Sequence, residues 1–339
     1  MPPAAYNRKA VPNFRSCPEC GASIEEDSNF CPYCGYRLDP ITDAGDDTED
    51  VLHEVSLGYL ASEAWRSLQR PSPIRETPSS TVFTRRPTTP MFKFIILGGL
   101  MTVTGLTVSY GGDWLTYFGY TVSGFAAPLL YLAWMLRNDR YEEEPLPLIA
   151  LTFGWGAFCT IFAGLLNSLI FFPLLGAPGA ALVEEPLKLL GVYWITSHKL
   201  FGSELNDHLD GMIYGAAAGA GFAGLENVYY IGGMIMEGGI PPFLAIVIRS
   251  AAAFNHIVWT AMAGRSVGLA KVLRGYNVPS DLLAGLVVVV PLHFLWNLAP
   301  VELSLFVLLP LNLLLLLRQV RTAQEDEVRW GFLTSAPVE

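Results

Sequence analysis

The amino-acid sequence predicts an all-α polytopic membrane protein with about eight transmembrane helices, preceded by a small four-cysteine zinc ribbon and a disordered linker. Hydrophobic residues make up 52% of the chain and charged residues only 15%, against roughly 45–50% and about 25% in soluble domains. Apolar runs of membrane-spanning length follow one another from residue 91, and two close cysteine pairs lie near the start. This composition excludes an ordinary soluble globular protein.

Residues 1–38 form the predicted zinc ribbon. The sequence reads Cys17-Pro-Glu-Cys20-Gly and then Cys31-Pro-Tyr-Cys34-Gly. Two such knuckles supply the four thiolates of a tetrahedral Zn²⁺ site, with a rubredoxin-type iron centre or a redox dithiol as alternatives. A closed four-cysteine site has no open position for a substrate, so the zinc is expected to be structural. The ribbon surface is then available to a cytoplasmic partner, which the sequence does not identify.

Residues 39–90 are expected to be a linker, acidic at first and then rich in Pro, Ser and Thr. An amphipathic helix over 51–70, lying on the membrane or on the ribbon, is one interpretation of its apolar spacing. The first 30 residues contain no apolar stretch typical of a cleavable signal peptide, so internal segments are expected to direct membrane insertion. The net charge is −10 and no basic stripe is visible, so no nucleic-acid partner is expected.

The predicted membrane domain covers residues 91–317 and is followed by a cytoplasmic tail, 318–339. Each span needs about 20 residues to cross the hydrocarbon core. The predicted spans lie near 92–111, 114–136, 147–173, 179–198, 210–234, 243–264, 281–299 and 302–317.

The basic residues outside the spans predict the orientation. With a cytoplasmic N-terminus, the inner segments contain Arg85, Arg86, Lys93, Arg137, Arg140, Lys199, Arg265, Lys271, Arg274, Arg318 and Arg321, and the outer loops contain no Lys or Arg. Basic residues concentrate on the cytoplasmic side of membrane proteins. The sequence therefore predicts a multi-pass protein of the cell membrane with both termini in the cytoplasm.

Four of the predicted spans carry ionisable groups. These groups and the asparagines near them include Glu184, Glu185 and Lys188 in the fourth span, Glu226 and Asn227 in the fifth, Arg249 and His256 in the sixth, and His293 and Asn297 in the seventh. A charged group at membrane depth costs roughly 2.5–3.5 kcal/mol, so each is a candidate for function. A rise of about 1.5 Å per residue places most of them in the outer half of the bilayer.

Each of these groups also has a structural interpretation. Glu184 and Lys188 are spaced for an i,i+4 ion pair, and a single histidine or asparagine often bonds a neighbouring membrane helix. Gly211, Gly215 and Gly219 form a small-residue stripe suited to close helix packing, which is expected to bring Glu226 near another span. These interpretations leave unexplained why three carboxylates, two histidines and two cations occur on so few helices.

The set of motifs resembles the PrsW family of intramembrane proteases, distant relatives of the CAAX and bacteriocin-processing membrane endopeptidases. The matching runs are EExxK at Glu184–Lys188, FxxxEN ending at Asn227, the span of His256, and HxxxN from His293 to Asn297. The resemblance covers about residues 91–317 and leaves the ribbon unexplained. It implies an endopeptidase that hydrolyses a peptide bond of a membrane protein, such as a single-span protein, in the outer half of the bilayer.

Amide hydrolysis requires a base that activates water, donors for the oxyanion and an acid for the leaving amine. We expect one of Glu184 and Glu185 to be the base and the other to be held by Lys188 or a neighbouring helix. The oxyanion donors and proton-transfer groups are expected to be His256, His293 and Asn297. Glu226 could orient a histidine or act as a second acid, with Asn227 and Arg249 in support. In this hypothesis the site needs no catalytic metal.

Two alternatives remain open from the sequence. A zinc-dependent intramembrane metalloprotease could use the same Glu and His residues, although no HExxH motif is present. A transporter or ion pathway would also bury Glu, His and Arg, but it predicts internal repeats or paired broken helices, which the sequence does not show.

Overall fold

The computed structural model describes residues 14–16, 23–25, 91–109, 113–139, 144–198, 201–205, 207–274 and 277–329. Two short strands, β1 (Phe14–Ser16) and β2 (Ser23–Glu25), pair antiparallel, with Phe14 opposite Glu25. Cys17, Cys20, Cys31 and Cys34 and the whole predicted linker lie outside the described residues. The zinc ligands and the amphipathic helix over 51–70 therefore stay predictions.

Long helices account for nearly all of the described chain, and each predicted span coincides with one of them. They are α1 (Met91–Ser109), α2 (Asp113–Asn138), α3 (Leu146–Leu166), α4 (Ala181–Ser197), α5 (His208–Met236), α6 (Pro242–Arg274), α7 (Ser280–Leu298) and α8 (Leu309–Arg329). A π-helical segment, Asn167–Phe171, and a last turn, Phe172–Leu175, continue α3. Val301–Leu303 and a second π-helical segment, Ser304–Leu308, lead into α8.

Five of the described segments are long and apolar enough to cross a membrane: Leu115–Asn138, Leu146–Leu175, Pro242–Lys271, Ser280–Leu298 and Val301–Glu325. The protein is therefore a multi-pass membrane protein. A shorter apolar helix covers Met91–Thr107. α4 and α5 are not among these five segments. α4 has only 17 residues and includes the charged residues Glu184, Glu185 and Lys188, and α5 is rich in Gly and Ala. The count of eight membrane crossings stays a prediction.

Two helices extend beyond the ends of their predicted spans. α6 continues to Arg274, past the predicted end at 264, and α8 continues to Arg329, past the predicted end at 317. Residues 318–329 of the predicted tail are therefore helical. A membrane span predicted from hydropathy ends where charge begins, but the helix's own hydrogen bonds need not end there.

Helix α5 is the centre of the bundle, and most of its residues are buried. α6, α3 and α2 all pack along it. A Cβ atom at Gly215 would overlap the carbonyl oxygen of Thr260, and one at Gly219 would overlap that of His256. The small-residue stripe therefore has the predicted role, because the missing side chains let α5 and α6 approach closely. A central helix that meets little lipid does not need strong hydropathy.

The inner end of α5, in the predicted orientation, begins with a capping box. The Asp207 carboxylate accepts from the backbone N–H of Asp210, and the Asp210 carboxylate accepts from that of Asp207. The Tyr214 hydroxyl donates to Glu144, which lies just before α3 and is buried. Burial raises the pKa of Glu144 to about 8.

Candidate active site

Helices α4, α5, α6 and α7 bring their polar side chains to one buried site. Seven of the predicted residues form a continuous set of contacts: Glu184, Glu185, Lys188, Glu226, Arg249, His256 and His293. In the predicted orientation this site lies in the outer half of the membrane. Residues that are far apart in sequence meet here because α6 and α7 each pack against α4.

Lys188 is the central cation of the site, and its side chain is fully buried. Its ammonium donates to Glu185 Oε1 at 2.6 Å and lies 3.0 Å from His256 Nδ1. It also lies 4.8 Å from the centre of the Phe222 ring, within the range of a cation–π contact. The ion pair therefore joins residues 185 and 188, and the i,i+4 pair between Glu184 and Lys188 is not the one that forms.

His293 lies between the two adjacent glutamates. Its Nδ1 is 2.7 Å from Glu185 Oε1, and its Nε2 is 3.8 Å from Glu184 Oε2. A carboxylate paired with an ammonium group can only accept, so the hydrogen of the contact with Glu185 is assigned to His293 Nδ1. The Trp259 ring stacks on His293 with centroids 4.4 Å apart. These contacts fix the ring and leave Nε2 facing Glu184.

Glu226 joins α5 to α6. Its Oε2 lies 2.5 Å from Arg249 Nη2 and 2.9 Å from His256 Nε2. Arg249 Nε donates to Asn227 Oδ1 at 2.9 Å, and Asn227 Nδ2 donates to the carbonyl oxygen of Gly124. The predicted orienting roles of Glu226 and Arg249 therefore have matching contacts. Both ring nitrogens of His256 are engaged, one by Lys188 and one by Glu226.

Glu184 is held by a side chain at the end of α3, a helix in which the sequence predicted no site residue. Asn167 Nδ2 donates to Glu184 Oε1 at 2.9 Å, and both side chains are buried. Asn167 begins the π-helical segment that continues α3, and such segments are frequent at functional sites. The sequence feature that could have identified Asn167 as a site residue is that it is the one amide side chain in the third predicted span.

The charges of the site show which carboxylate differs from the others. Glu185 is paired with Lys188, and Glu226 with Arg249. Glu184 has no Lys or Arg partner among the described residues, and its buried Oε2 has no hydrogen-bond partner there. An unpaired buried carboxylate is costly. Glu184 is therefore the group most suited to take up a proton or a cation.

A cavity of about 180 Å³ adjoins this site. Glu184, Glu226, Arg249, His256 and His293 all border it, and so does Asn297 on α7. Asn297 lies apart from the ionic contacts, because its Nδ2 donates to the carbonyl oxygen of Ala177 at 3.2 Å. The cavity has room for water or for one reacting group beside the carboxylates.

Three of these residues could hold a metal ion. One ligand atom each of Glu184, His256 and His293 lie within 4.8 Å of one another, and all three side chains are buried. One carboxylate and two imidazoles are a ligand set found in catalytic zinc sites. The unpartnered Oε2 of Glu184 also fits such a role, and Glu185 on His293 Nδ1 is the kind of contact that orients a zinc-bound histidine. The residues present therefore fit a zinc ion, provided that His256 Nε2 exchanges its contact with Glu226 for the metal.

Comparison with known proteins finds two matching families. A family described as "PrsW family intramembrane metalloprotease" matches residues 144–320, and a zinc-ribbon domain matches residues 13–38. Protease PrsW of Geobacillus kaustophilus is 26% identical over 45% of this chain and 68% of that protein. Protease PrsW of Bacillus subtilis is 26% identical over 35% of this chain and 57% of its own length. No solved structure gives a significant match.

Proposed function

This chain belongs to the PrsW family of intramembrane proteases, and we propose that it hydrolyses a peptide bond of a membrane protein with Glu184 as the general base. The observation that carries this assignment is the state of Glu184. Its Oε1 is held by Asn167, and its Oε2, like that of Glu185, is buried without a hydrogen-bond partner in the described part of the chain. Glu184 differs from Glu185 and Glu226 because it has no Lys or Arg partner among the described residues. A carboxylate that is fixed through one oxygen can use the other to accept a proton from water.

The same contacts support different roles for the two adjacent glutamates. Glu185 already accepts from Lys188 and His293 through Oε1, so its charge is neutralised and its position is fixed. We assign Glu185 the role of orienting His293, as a carboxylate orients the histidine of a catalytic triad. His293 Nε2, which faces Glu184, can then receive the proton from Glu184 and pass it to the leaving amine.

The oxyanion requires hydrogen-bond donors on the opposite side of the cavity. His256 and Asn297 border the cavity from α6 and α7. Lys188 at Nδ1 and Glu226 at Nε2 hold His256 with the hydrogen on Nε2, because an ammonium group can only donate. We propose that Asn297 donates to the oxygen that becomes negative as water attacks, and that the Nε2–H of His256 joins it by turning from Glu226 to that oxygen. Arg249 keeps Glu226 ionised and in place for this arrangement.

A metal-assisted form of the reaction is the second candidate, and the convergence of Glu184, His256 and His293 favours it. A zinc ion held there would polarise the carbonyl and lower the pKa of bound water. Glu185 would keep its role on His293, and Lys188 would still fix Glu185. The metal content of the protein separates the two forms.

The function is tested by comparing membrane proteins from cells that make the wild-type chain or Glu184→Gln. Gln has the same size, so the Asn167 contact can form again while the base is lost. We expect fragments cut in the outer half of a membrane span to occur with the wild type alone. An identical fragment set from both cell lines would contradict the assignment of Glu184.

A further inference from the structure

A second and larger cavity lies beside the proposed catalytic site. Its volume is about 990 Å³, and α2, α3 and α5 form its walls. Apolar side chains such as Leu165 and Val228 line most of it, together with Ser168 and the tyrosines Tyr117, Tyr120, Tyr229 and Tyr230. We call this cavity the lateral groove.

The lateral groove is formed because α2 and α3 both pack on α5 but separate from each other. They meet at Phe125 and Phe153, whose ring centroids are 6.0 Å apart. That contact lies on the cytoplasmic side of the groove in the predicted orientation. The lining residues on α5 run from Phe222 to Met236, which is about 21 Å of helix at 1.5 Å per residue. The groove therefore follows the outer part of the bundle.

The groove and the catalytic cavity share part of their walls. Phe172, Glu184, Glu226 and Tyr230 border both. A chain segment in the groove would therefore pass beside Glu184. The residues of the groove on α5 extend well beyond Glu226 in the outward direction, so a bound segment would be held mainly on the outer side of the site.

We propose that the lateral groove binds the apolar transmembrane segment of a single-span substrate, which enters from the bilayer between α2 and α3. This proposal rests on the proposed function, since it assigns the place where the protease holds its substrate. A peptide rather than a lipid is favoured by the wall chemistry. A segment that unwinds to reach Glu184 exposes backbone groups that need partners, and the Ser168 and tyrosine hydroxyls can supply them, whereas an acyl chain needs none.

Two glycines of α3 allow a matched test by photocrosslinking. Gly164 lines the groove and Gly154 does not. A Cβ atom at either position would meet no other atom within 4 Å, so both accept a large side chain. A benzophenone amino acid is placed at 164 or at 154 in the full-length Glu184→Gln protein in lipid nanodiscs. The probe is a synthetic Leu/Ala transmembrane peptide with lysine ends and a biotin tag.

We expect the peptide to crosslink at 164 and not at 154. Gly233→Trp fills the groove from α5, where a Cβ also meets open space, and should abolish the crosslink. Gly99→Trp, at an open position of α1, should leave it unchanged. Equal yields of crosslinked peptide at positions 164 and 154, or crosslinks to lipid alone at 164, would overturn the proposal.

The crosslink does not depend on cleavage, so the two proposals fail separately. Cleavage of membrane proteins that requires Glu184, without a crosslink at 164, would refute the groove and leave the proposed function intact. A crosslink at 164 without any cleavage that requires Glu184 would refute the proposed function.

Discussion

Replacing Lys188 with Met should destabilise the protein strongly, because it leaves Glu185 as a buried carboxylate without its cation. The side chain of Lys188 is fully buried and that of Glu185 is 1% exposed. Removing one partner of such a pair costs about 3–5 kcal/mol. That loss corresponds to roughly 6–20 °C in the unfolding midpoint of a domain of this size. The midpoint can be measured on purified protein in detergent by thermal unfolding.

A double-mutant cycle identifies the partner. Because a glutamine side chain is neutral and can still bond His293, Glu185→Gln should restore part of the stability lost with Lys188→Met, with a coupling energy of up to about 3 kcal/mol. Glu184→Gln should couple more weakly. As a control, Arg321→Met breaks an exposed i,i+4 pair with Glu325 and should cost under about 1 kcal/mol. A coupling energy of Lys188 with Glu184 that exceeds its coupling energy with Glu185 would refute the Lys188–Glu185 ion pair.

Three further predictions concern Asn167, Glu144 and metal content. Asn167→Ala removes the donor to Glu184, so it should lower the free energy of unfolding by about 1–3 kcal/mol and slow cleavage. Both quantities are also measured for Asn167→Asp, whose side chain has the same size but repels the Glu184 carboxylate. Unchanged cleavage in both variants would contradict the positioning role of Asn167. Glu144 keeps its proton up to about pH 8 in the folded protein but releases it near about pH 4 in the unfolded chain. As the pH rises from about 4 to about 8, the free energy of unfolding should therefore fall by up to about 1.4 kcal/mol per pH unit. Glu144→Gln should flatten that fall in thermal unfolding between pH 5 and pH 8, and equal slopes would contradict the burial effect. If catalysis uses no zinc, changing all four ribbon cysteines to Ser in the full chain should remove every bound zinc ion. One zinc ion per chain that remains in this variant and is lost when His293→Ala is added would establish the metal-assisted form.

The helices were predictable from the sequence because long apolar runs leave few alternatives in a bilayer. The small-residue stripe also predicted close packing of α5 on a neighbouring helix, since glycine at every fourth position allows a backbone approach that larger side chains prevent; the structure identifies that neighbour as α6. The ends of α6 and α8 were not predictable from hydropathy, which marks where charged residues begin and carries no signal for the end of a helix.

The site was predictable as a set of residues but not as a set of contacts. Glu184 and Glu185 are four and three residues from Lys188, and both spacings place side chains together on a helix. The neighbouring helices supply the rest of the information: His293 joins Lys188 on Glu185 Oε1, whereas Asn167 holds Glu184. Asn167 was missed because a lone amide in an apolar span matches no motif, and the π-helical segment that begins there is not visible in the sequence.

The central claim, that Glu184 is the base, is tested most directly by cleavage in proteoliposomes. Wild type, Glu184→Gln and Glu302→Gln are compared on a single-span membrane protein found in the proteome comparison. Glu302 is exposed at the start of the segment before α8, so its loss should leave the rate unchanged. We expect Glu184→Gln to slow fragment release by about 10²–10⁴-fold, the usual contribution of a general base. Release by Glu184→Gln at the rate of the Glu302→Gln control would contradict the assignment.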